Sequence, residues 1–220
     1  MDSFGEMPDH EISRMSRPDS HQPTRLYFVR HGESEANSLH MISNRDLPHG
    51  LTETGLAQME QLAERLKVIP FAAFYASPLL RARQSADILA ARLRLPYTVT
   101  AALAEFDLGI LEGRSDATSW RRFDELLDAW LGRREWHVRI EGGESFEDVR
   151  ARFWPLIETL TARPPGGSVL LLGHGGTFMC MLPHVLSNVS VDFARERRLK
   201  YSEVVVAEMS SDGLTCLTWG

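Results

Sequence analysis

One segment decides the fold that we predict for this chain, Arg25-Leu26-Tyr27-Phe28-Val29-Arg30-His31-Gly32. Four consecutive apolar residues that end at polar residues and a glycine are typical of a buried parallel strand whose carboxyl end opens into a loop, and α/β proteins bind ligands at such ends. Arg30 and His31 would therefore lie at the mouth of the strand. A guanidinium group matches two oxygens of a phosphoryl group, and a neutral imidazole is a nucleophile that can carry that group. This segment therefore predicts a phosphate site.

Two later segments would bring similar chemistry to the same edge of the sheet. The apolar run 169–172 leads into Gly173-His174-Gly175-Gly176-Thr177, and glycines at a strand-to-helix junction let the backbone come close to a ligand. Between the two histidines lies Ser77-Pro78-Leu79-Leu80-Arg81, whose serine and proline favour the start of a helix at the end of a further strand. Arg81 would then join Arg30 at the mouth of the sheet.

The order of strands and helices predicts an α/β fold, a three-layer α/β/α sandwich with a mostly parallel sheet. Two apolar runs near the C-terminal end flank Ser210-Ser211-Asp212-Gly213, and Asp-Gly is typical of a hairpin turn, so we expect an antiparallel edge. The segment of about 108–143 is too long for a simple crossover and is predicted to be a small helical cap insertion. Residues 1–24 lack hydrophobic periodicity and are predicted to be a disordered tail, which leaves one domain over 25–220.

Composition limits the class of protein. The chain has 220 residues and a formal net charge of −6, which disfavours a general nucleic-acid binder. No apolar run is long enough for a membrane span, and Cys180 and Cys216 show neither metal-ligand spacing nor a paired framework. We therefore expect a cytoplasmic protein with no nucleic-acid or membrane partner, no metal and no cofactor. Whether it forms a homodimer is left open.

Taken together, these segments resemble the histidine phosphatase superfamily, which includes cofactor-dependent phosphoglycerate mutases and broad-specificity phosphomonoesterases. Five blocks in the order typical of the family are far less expected by chance than any one of them. They extend over about residues 25 to 210 and comprise Arg30-His31-Gly32 with Asn37, Ser77-Pro78-Leu79-Leu80-Arg81-Ala82, Leu103-Ala104-Glu105 with Gly109 and Glu112-Gly113, Gly142-Gly143-Glu144-Ser145, and Gly173-His174-Gly175.

The resemblance implies an enzyme, a histidine acid-base phosphatase of the broad-specificity branch. It would hydrolyse a small-molecule phosphomonoester without a metal, through a phosphohistidine intermediate on His31. For attack the imidazole must be neutral, and repulsion from Arg30 and Arg81 favours that form. The residues implied to bind the phosphoryl group are Arg30, Asn37, Arg81, His174 and Gly175.

The resemblance also assigns the general acid, which protonates the leaving alkoxide, to Glu105. Its apolar neighbours Phe106 and Leu108 would keep the carboxyl protonated near neutral pH. Asp107 is the rival acid. Glu112 and Glu144 are interpreted as structural residues near the pocket.

Substrate contacts outside the phosphate site are predicted with less support from the motifs. Ser34 is a candidate, although a serine in a turn also bonds to its own backbone. Arg114 and Arg121 belong to a segment, residues 114–140, that is rich in arginine and tryptophan and would contact a second anionic group or a ring of the substrate. The alternative is an ordinary amphipathic helix with balanced charge.

Two other functions remain open. Phosphoglycerate mutases resemble the chain over the same blocks, but they usually have a longer cap and an Asn-Glu-Arg-His-Tyr-Gly run where this chain has Ala104-Glu105-Phe106-Asp107-Leu108-Gly109. A phospho-ligand-binding module without catalysis is disfavoured because His31, both arginines, Glu105 and His174 are all present. The sequence does not name the substrate.

Overall fold

The computed structural model describes residues 24–45, 47–162 and 167–220. Within these ranges six strands form one sheet: β1 Arg25–Arg30, β2 Phe71–Ala76, β3 Thr98–Val99, β4 Ser168–Gly173, β5 Val204–Ser210 and β6 Gly213–Trp219. Their order across the sheet is β3-β2-β4-β1-β5-β6. The first four strands are parallel, whereas β5 runs antiparallel to β1 and β6 antiparallel to β5. The predicted mostly parallel sheet with an antiparallel C-terminal edge is confirmed.

Helices cover both faces of the sheet, which confirms the predicted three layers. They are α1 Glu35–Ser38, α2 Glu53–Leu66, α3 Leu80–Leu93, α4 Ala117–Leu127, α5 Phe146–Ala162, α6 Gly175–Met181 and α7 Val191–Glu196. The apolar sides of α2 and α3 form one core against the sheet, and the other core takes side chains from α4, α5, α6 and α7. None of the helices in the described part of the chain combines the length and the apolar character needed to cross a membrane.

Strands β1 and β4 occupy the centre of the sheet. Residues 169–172 of β4 are completely buried, because both faces of the sheet are covered, and this explains their continuous apolar sequence. In the register of the pair, Arg30 lies opposite Gly173, and the backbone N–H of His31 donates to the Gly173 carbonyl at 3.1 Å. The register therefore places the residues that follow each strand side by side.

Two predicted boundaries are corrected by the structure. Helix α3 begins at Leu80 with Leu79 as its N-cap, two residues later than expected, and the Ser77 hydroxyl bonds to His174 and to the N–H of Leu79 ahead of the helix. Most of the predicted tail, residues 1–23, lies outside the described residues. Thr24, however, is buried, and its carbonyl accepts a hydrogen bond from Met209 N–H, so it belongs to the folded domain.

The cap insertion packs onto the main core. It contains a 3₁₀ turn at Gly109–Leu111, helix α4 and a π-helical turn at Asp128–Gly132. Trp130 is buried, its indole N–H donates to the Val138 carbonyl, and its ring meets the Phe106 ring edge-on at 5.1 Å. The cap is therefore fixed to the sheet rather than attached by a loose linker.

A close crossing of two backbones supports the loop that follows β1. A Cβ atom on Gly55 would lie 2.0 Å from the Glu33 carbonyl oxygen, and one on Gly32 would lie 2.5 Å from the Gly55 carbonyl oxygen. Both distances are shorter than any real Cβ contact, and the atoms met are backbone atoms that cannot rotate away. Glycine is therefore required at both positions.

We predict that Gly55→Ala lowers the free energy of unfolding by about 3 kcal/mol, the upper end of the usual cost of overpacking, because the backbone itself must move. Chemical denaturation followed by tryptophan fluorescence measures the change. The matched control is Gly132→Ala, whose added Cβ would meet its nearest neighbour at an ordinary 3.7 Å; its effect should stay below about 1 kcal/mol. Equal effects of the two substitutions would contradict this account.

Candidate active site

The two predicted histidines meet at the carboxyl edge of the sheet. His31 follows β1 and His174 follows β4, and their ring centroids are 4.9 Å apart. Both side chains are buried, with 2% and 0% of their surface exposed. The register of the central strand pair is sufficient to bring them together.

The hydrogen bonds of His31 define its tautomer. Nδ1 lies 2.6 Å from the Gly32 carbonyl oxygen, which can only accept, so Nδ1 carries the hydrogen. Nε2 then has a free lone pair, and Arg81 Nε donates to it at 3.0 Å. Burial, followed by the charges of Arg81 and Arg30, lowers the pKa of His31 well below its ordinary value. The imidazole is therefore neutral at neutral pH, with its nucleophilic nitrogen oriented by an arginine.

His174 presents a donor instead of a lone pair. Its Nε2 lies 2.6 Å from Ser77 Oγ, which also accepts the Leu79 N–H at 3.3 Å. The hydroxyl hydrogen is satisfied when it points to Nε2, and this leaves the ring hydrogen on Nδ1. Burial, then the positive charges of Arg81 and Arg30, lowers the pKa of His174 well below its ordinary value. Ser77 thus fixes a neutral ring whose Nδ1–H is free to donate.

Backbone carbonyls and an aromatic ring, not carboxylates, hold the two arginines. Arg30 donates to the Leu199 carbonyl at 2.6 Å and lies 4.2 Å from the centre of the Tyr201 ring. Arg81 donates to the Ser43 carbonyl at 2.6 Å. Burial lowers the pKa of Arg81 to about 10, so the group stays cationic at neutral pH. Their positive charges are not neutralised by these partners and remain available to an anion.

Two buried donors have no hydrogen-bond partner among the described residues, Arg30 Nε and His174 Nδ1. Unpaired buried donors are rare because each costs free energy. Both belong to side chains beside His31. A phosphoryl group, whose oxygens only accept hydrogen bonds, is the kind of ligand that this arrangement fits.

A cavity of about 210 Å³ opens at this edge of the sheet. Of the predicted residues, those that line it are Arg30, His31, Asn37, Arg81, Glu105 and Gly175. His174 lies next to this lining through its ring contact with His31. Within the described ranges, no group of three or more His, Cys, Asp or Glu side chains could hold a metal ion.

Asn37 and Ser34 have different positions relative to the cavity. Asn37 Oδ1 accepts from the Ser34 N–H at 3.1 Å and from the Ser34 hydroxyl at 2.8 Å. The amide nitrogen of Asn37 is therefore the group left to donate to a ligand. Ser34 is completely buried, does not line the cavity and caps helix α1. Ser34 therefore makes local contacts within its own turn, which was the alternative to a contact with the substrate.

Glu105 is held at the start of α6 by hydrogen-bond donors. Its Oε2 accepts the Gly176 N–H at 2.9 Å, and its Oε1 accepts the Thr177 N–H at 2.6 Å. The expected apolar residues are present, since Phe106 and Leu108 are buried, but the carboxyl group itself faces polar partners. The sequence did not predict these polar partners, because residues more than 70 positions away in sequence supply the donors.

The Thr177 hydroxyl has one hydrogen and two neighbours that can accept it. Its Oγ1 lies 2.8 Å from both the Ala104 carbonyl oxygen and Glu105 Oε1. If the hydrogen points to Oε1, the contact suits an ionised Glu105. If it points to the Ala104 carbonyl, the contact to Oε1 is satisfied by a proton on Glu105. Rotation of one hydroxyl therefore accommodates either state of the carboxyl.

The other acidic residues near the site make structural contacts. Asp107, the rival acid, pairs with Arg45 at 2.9 Å, accepts the Gly109 N–H and does not line the cavity. Glu112 accepts the backbone N–H groups of Asn44 and Leu108. Glu144 accepts the Asp107 N–H and pairs with Arg152. These carboxylates hold loops together around the pocket.

The structure does not bring Arg114 and Arg121 to the cavity. Both are exposed, and Arg121 pairs at 3.8 Å with Glu125 on its own helix. The residues of helix α4 that line the cavity are the aromatic Trp120 and Phe123. The additional cation is Arg198, which sequence reasoning missed. It precedes the antiparallel strand β5, and the start of such a strand lies at the carboxyl edge of its parallel neighbours, which was the available signal.

Comparison with known proteins identifies the class. The family model of the histidine phosphatase superfamily (branch 1) matches residues 26–220, and the chain belongs to that family. A Proteus mirabilis protein named as a probable phosphoglycerate mutase is 34% identical over 182 residues, 80% of this chain and 79% of that protein. The relatives named by this comparison are phosphatases or mutases, and the protein is an enzyme of that class.

Two solved structures with related sequences share the fold. YhfR of Bacillus stearothermophilus has a TM-score of 0.74 and 27% identity over 89% of this chain and 96% of its own. A mycobacterial glucosyl-3-phosphoglycerate phosphatase, in complex with VO3, has a TM-score of 0.72 and 26% identity over 89% and 98% of the two chains.

The neutral state of the two buried histidines predicts a pH dependence of stability. Below the ordinary histidine pKa of about 6.5 the unfolded chain binds protons that the folded protein does not bind. Above that pH the two histidines should not lower the free energy of unfolding, and as the pH decreases through it the free energy of unfolding should fall. In His31→Gln the slope of unfolding free energy against pH, measured by urea denaturation between about pH 5 and about pH 6.5, should decrease by up to ~1.4 kcal/mol per pH unit. An unchanged slope would show that His31 is protonated in the folded state.

Proposed function

We propose that the protein is a metal-independent phosphomonoesterase that hydrolyses a small phosphorylated metabolite through a phosphohistidine on His31. The observation that carries the proposal is the lone pair of His31 Nε2, held on a buried neutral ring between Arg30 and Arg81. An unprotonated imidazole beside uncompensated cations is suited to attack an anionic phosphorus centre. The expected residence in the cytoplasm stays part of this proposal.

In the first step, Nε2 of His31 forms a bond to phosphorus while the bond from phosphorus to the alcohol oxygen breaks. The electron pair of that bond stays on the leaving oxygen. The phosphoryl oxygens would accept hydrogen bonds from Arg30, Arg81, the Asn37 amide and Nδ1–H of His174. The Nε–H of Arg81 would stop donating to Nε2 of His31 and would donate to a phosphoryl oxygen instead, while the guanidinium group stays protonated. Donors placed before the reaction stabilise the charge of the transition state without reorganisation.

Glu105 would donate a proton to the leaving oxygen and then accept one from water. In the second step the water oxygen bonds to phosphorus, the bond to Nε2 breaks and its electron pair returns to His31. A residue with this role must be stable both protonated and ionised. The Thr177 hydroxyl, 2.8 Å from Oε1, supports that requirement because it can accept from one state and donate to the other.

A phosphoglycerate mutase is the alternative enzyme, suggested by the name of the Proteus mirabilis relative. It would use the same phosphohistidine but pass the phosphoryl group to another hydroxyl instead of water. A phosphate-release assay beside a conversion assay for 3-phosphoglycerate to 2-phosphoglycerate distinguishes the two. A phospho-ligand-binding module would show neither activity.

We predict that rapid acid-free quenching with a radiolabelled phosphomonoester traps label on His31 in an acid-labile, base-stable form, and that turnover continues in excess EDTA. His31→Ala should abolish both the trapped label and turnover, because no other nucleophile occupies its position. Peptide mapping of the label is the measurement. Label on a serine or aspartate, or activity that requires a divalent ion, would refute the proposal.

We also predict that Glu105→Gln slows the hydrolysis of alkyl phosphates by roughly 10²- to 10⁴-fold, the usual contribution of a proton donor. Hydrolysis of p-nitrophenyl phosphate should slow far less, because its phenolate leaves without protonation. Steady-state kcat/KM for the two substrates gives the comparison.

Asp107→Asn is the matched control, since Asp107 lies next to the proposed acid in sequence but outside the cavity. Its effect should be equal for the two substrates. A selective loss for alkyl phosphates in Asp107→Asn alone would mean that the acid is Asp107.

A further inference from the structure

The cavity has a polar floor and an apolar outer wall. Beyond the phosphate-binding side chains, its lining consists largely of apolar groups: Met41, Ile42, Phe106, Leu108, Trp120, Phe123 and Met179. A cavity of about 210 Å³ is smaller than the roughly 300–1,000 Å³ typical of pockets for drug-sized ligands. The enclosed space beside the phosphate therefore fits a compact group such as a single ring, and a larger group would extend out of the cavity into solvent.

The aromatic part of this wall is fixed before a ligand arrives. Trp120 donates its indole N–H to the His40 carbonyl at 2.9 Å and stacks on the His40 ring, with centroids 4.5 Å apart. Phe123 meets Trp120 edge-on at 5.5 Å and lies parallel to Phe106 at 6.0 Å. Each ring is held by its neighbours, so a flat group could pack on the wall without an ordering cost.

Arg30 and Arg81, with Asn37 and His174, form the proposed phosphate-binding group, which we call the phosphate cradle. Arg198 is the cationic residue of the cavity lining that lies outside it. It is exposed, and among the described residues it makes no side-chain hydrogen bond or ion pair. Arg195, its neighbour on α7, is instead paired with Asp128 of the cap. Arg198 directly precedes Leu199, whose carbonyl holds Arg30, so its position relative to the cradle is fixed by a short piece of backbone.

We propose that the leaving group of the substrate is a compact aromatic alcohol that carries one further anionic group. Its ring would pack against Trp120 and Phe123, and its anionic group would pair with Arg198. This inference rests on the proposed phosphomonoesterase function and adds the substrate class to it. It assigns the second anion to Arg198 and not to the arginines of the cap.

The test compares three substrates in which the ring and the second anion are separated. They are phenyl phosphate, 3-carboxyphenyl phosphate and the linear 3-phosphooxypropanoate. A fourth substrate, benzene-1,3-diyl bisphosphate, shows whether the site prefers a carboxylate or a phosphate as the second anion. Each variant is compared with wild type on the same substrate, so the intrinsic reactivity of the leaving groups cancels. The measurement is kcat/KM.

For Arg198→Gln the ratio of kcat/KM for 3-carboxyphenyl phosphate to that for phenyl phosphate should fall tenfold or more, which corresponds to about 1.4 kcal/mol. Trp120→Leu should instead lower kcat/KM for both aromatic substrates relative to kcat/KM for the linear substrate. The control is Arg197→Gln, an exposed neighbour that does not line the cavity, and it should leave both ratios unchanged.

The possible failures are distinguishable. Hydrolysis through His31 with ratios that Arg198→Gln does not change would overturn the substrate class alone. Equal losses in Arg198→Gln and Arg197→Gln would assign the effect to general electrostatics and would also overturn it. If wild type hydrolyses none of the substrates and forms no phosphohistidine, the proposed function fails and the inference fails with it.

Discussion

The parallel pairing of β1 with β4 is the constraint on which the rest of the site depends. Both strands are buried on two faces, so every backbone donor and acceptor must find its partner within the sheet. A shift of one residue would turn each apolar side chain to the opposite core. The ladder continues one residue beyond β1, where His31 N–H meets the Gly173 carbonyl. The relative position of the two histidines is therefore set by main-chain hydrogen bonds and not by contacts between their side chains.

The same edge of the sheet concentrates positive charge in a buried place, which costs free energy. Arg30 and Arg81 offset part of that cost with carbonyl oxygens and an aromatic face. A carboxylate partner would stabilise the folded protein more in the absence of ligand but would compete with a phosphate for the same donors. The carboxyl group of Glu105, which lines the cavity, accepts hydrogen bonds from the backbone N–H groups at the start of α6 and not from the arginines. In the proposed phosphate site, this arrangement lowers the stability of the ligand-free protein and leaves the donors of both arginines available to an anion.

The sequence was informative where a residue's position follows from the end of a strand. His31 and His174 come directly after apolar runs, and parallel strands end at one edge, so their proximity could be predicted. Arg198 does not follow an apolar run but precedes the antiparallel strand β5, so the rule for the ends of parallel strands alone did not lead to it. Charge pattern alone also could not show which side of α4 faces the cavity. The structure turns Trp120 inward and leaves Arg121 in solvent.

The loop of residues 43–45 links the buried Arg81 of the site to an ion pair on the protein surface. Its first residue, Ser43, holds Arg81 through a carbonyl oxygen, whereas Arg45 anchors the same loop by an exposed pair with Asp107 and a bond to the Gly142 carbonyl. A solvent-facing ion pair of this kind contributes little to stability by itself. It nevertheless helps to hold the loop whose Ser43 carbonyl accepts a hydrogen bond from the buried guanidinium group of Arg81. Substitutions at Arg45 would therefore be tolerated by the fold and selected against by catalysis, so this surface position should vary as little as a residue of the pocket.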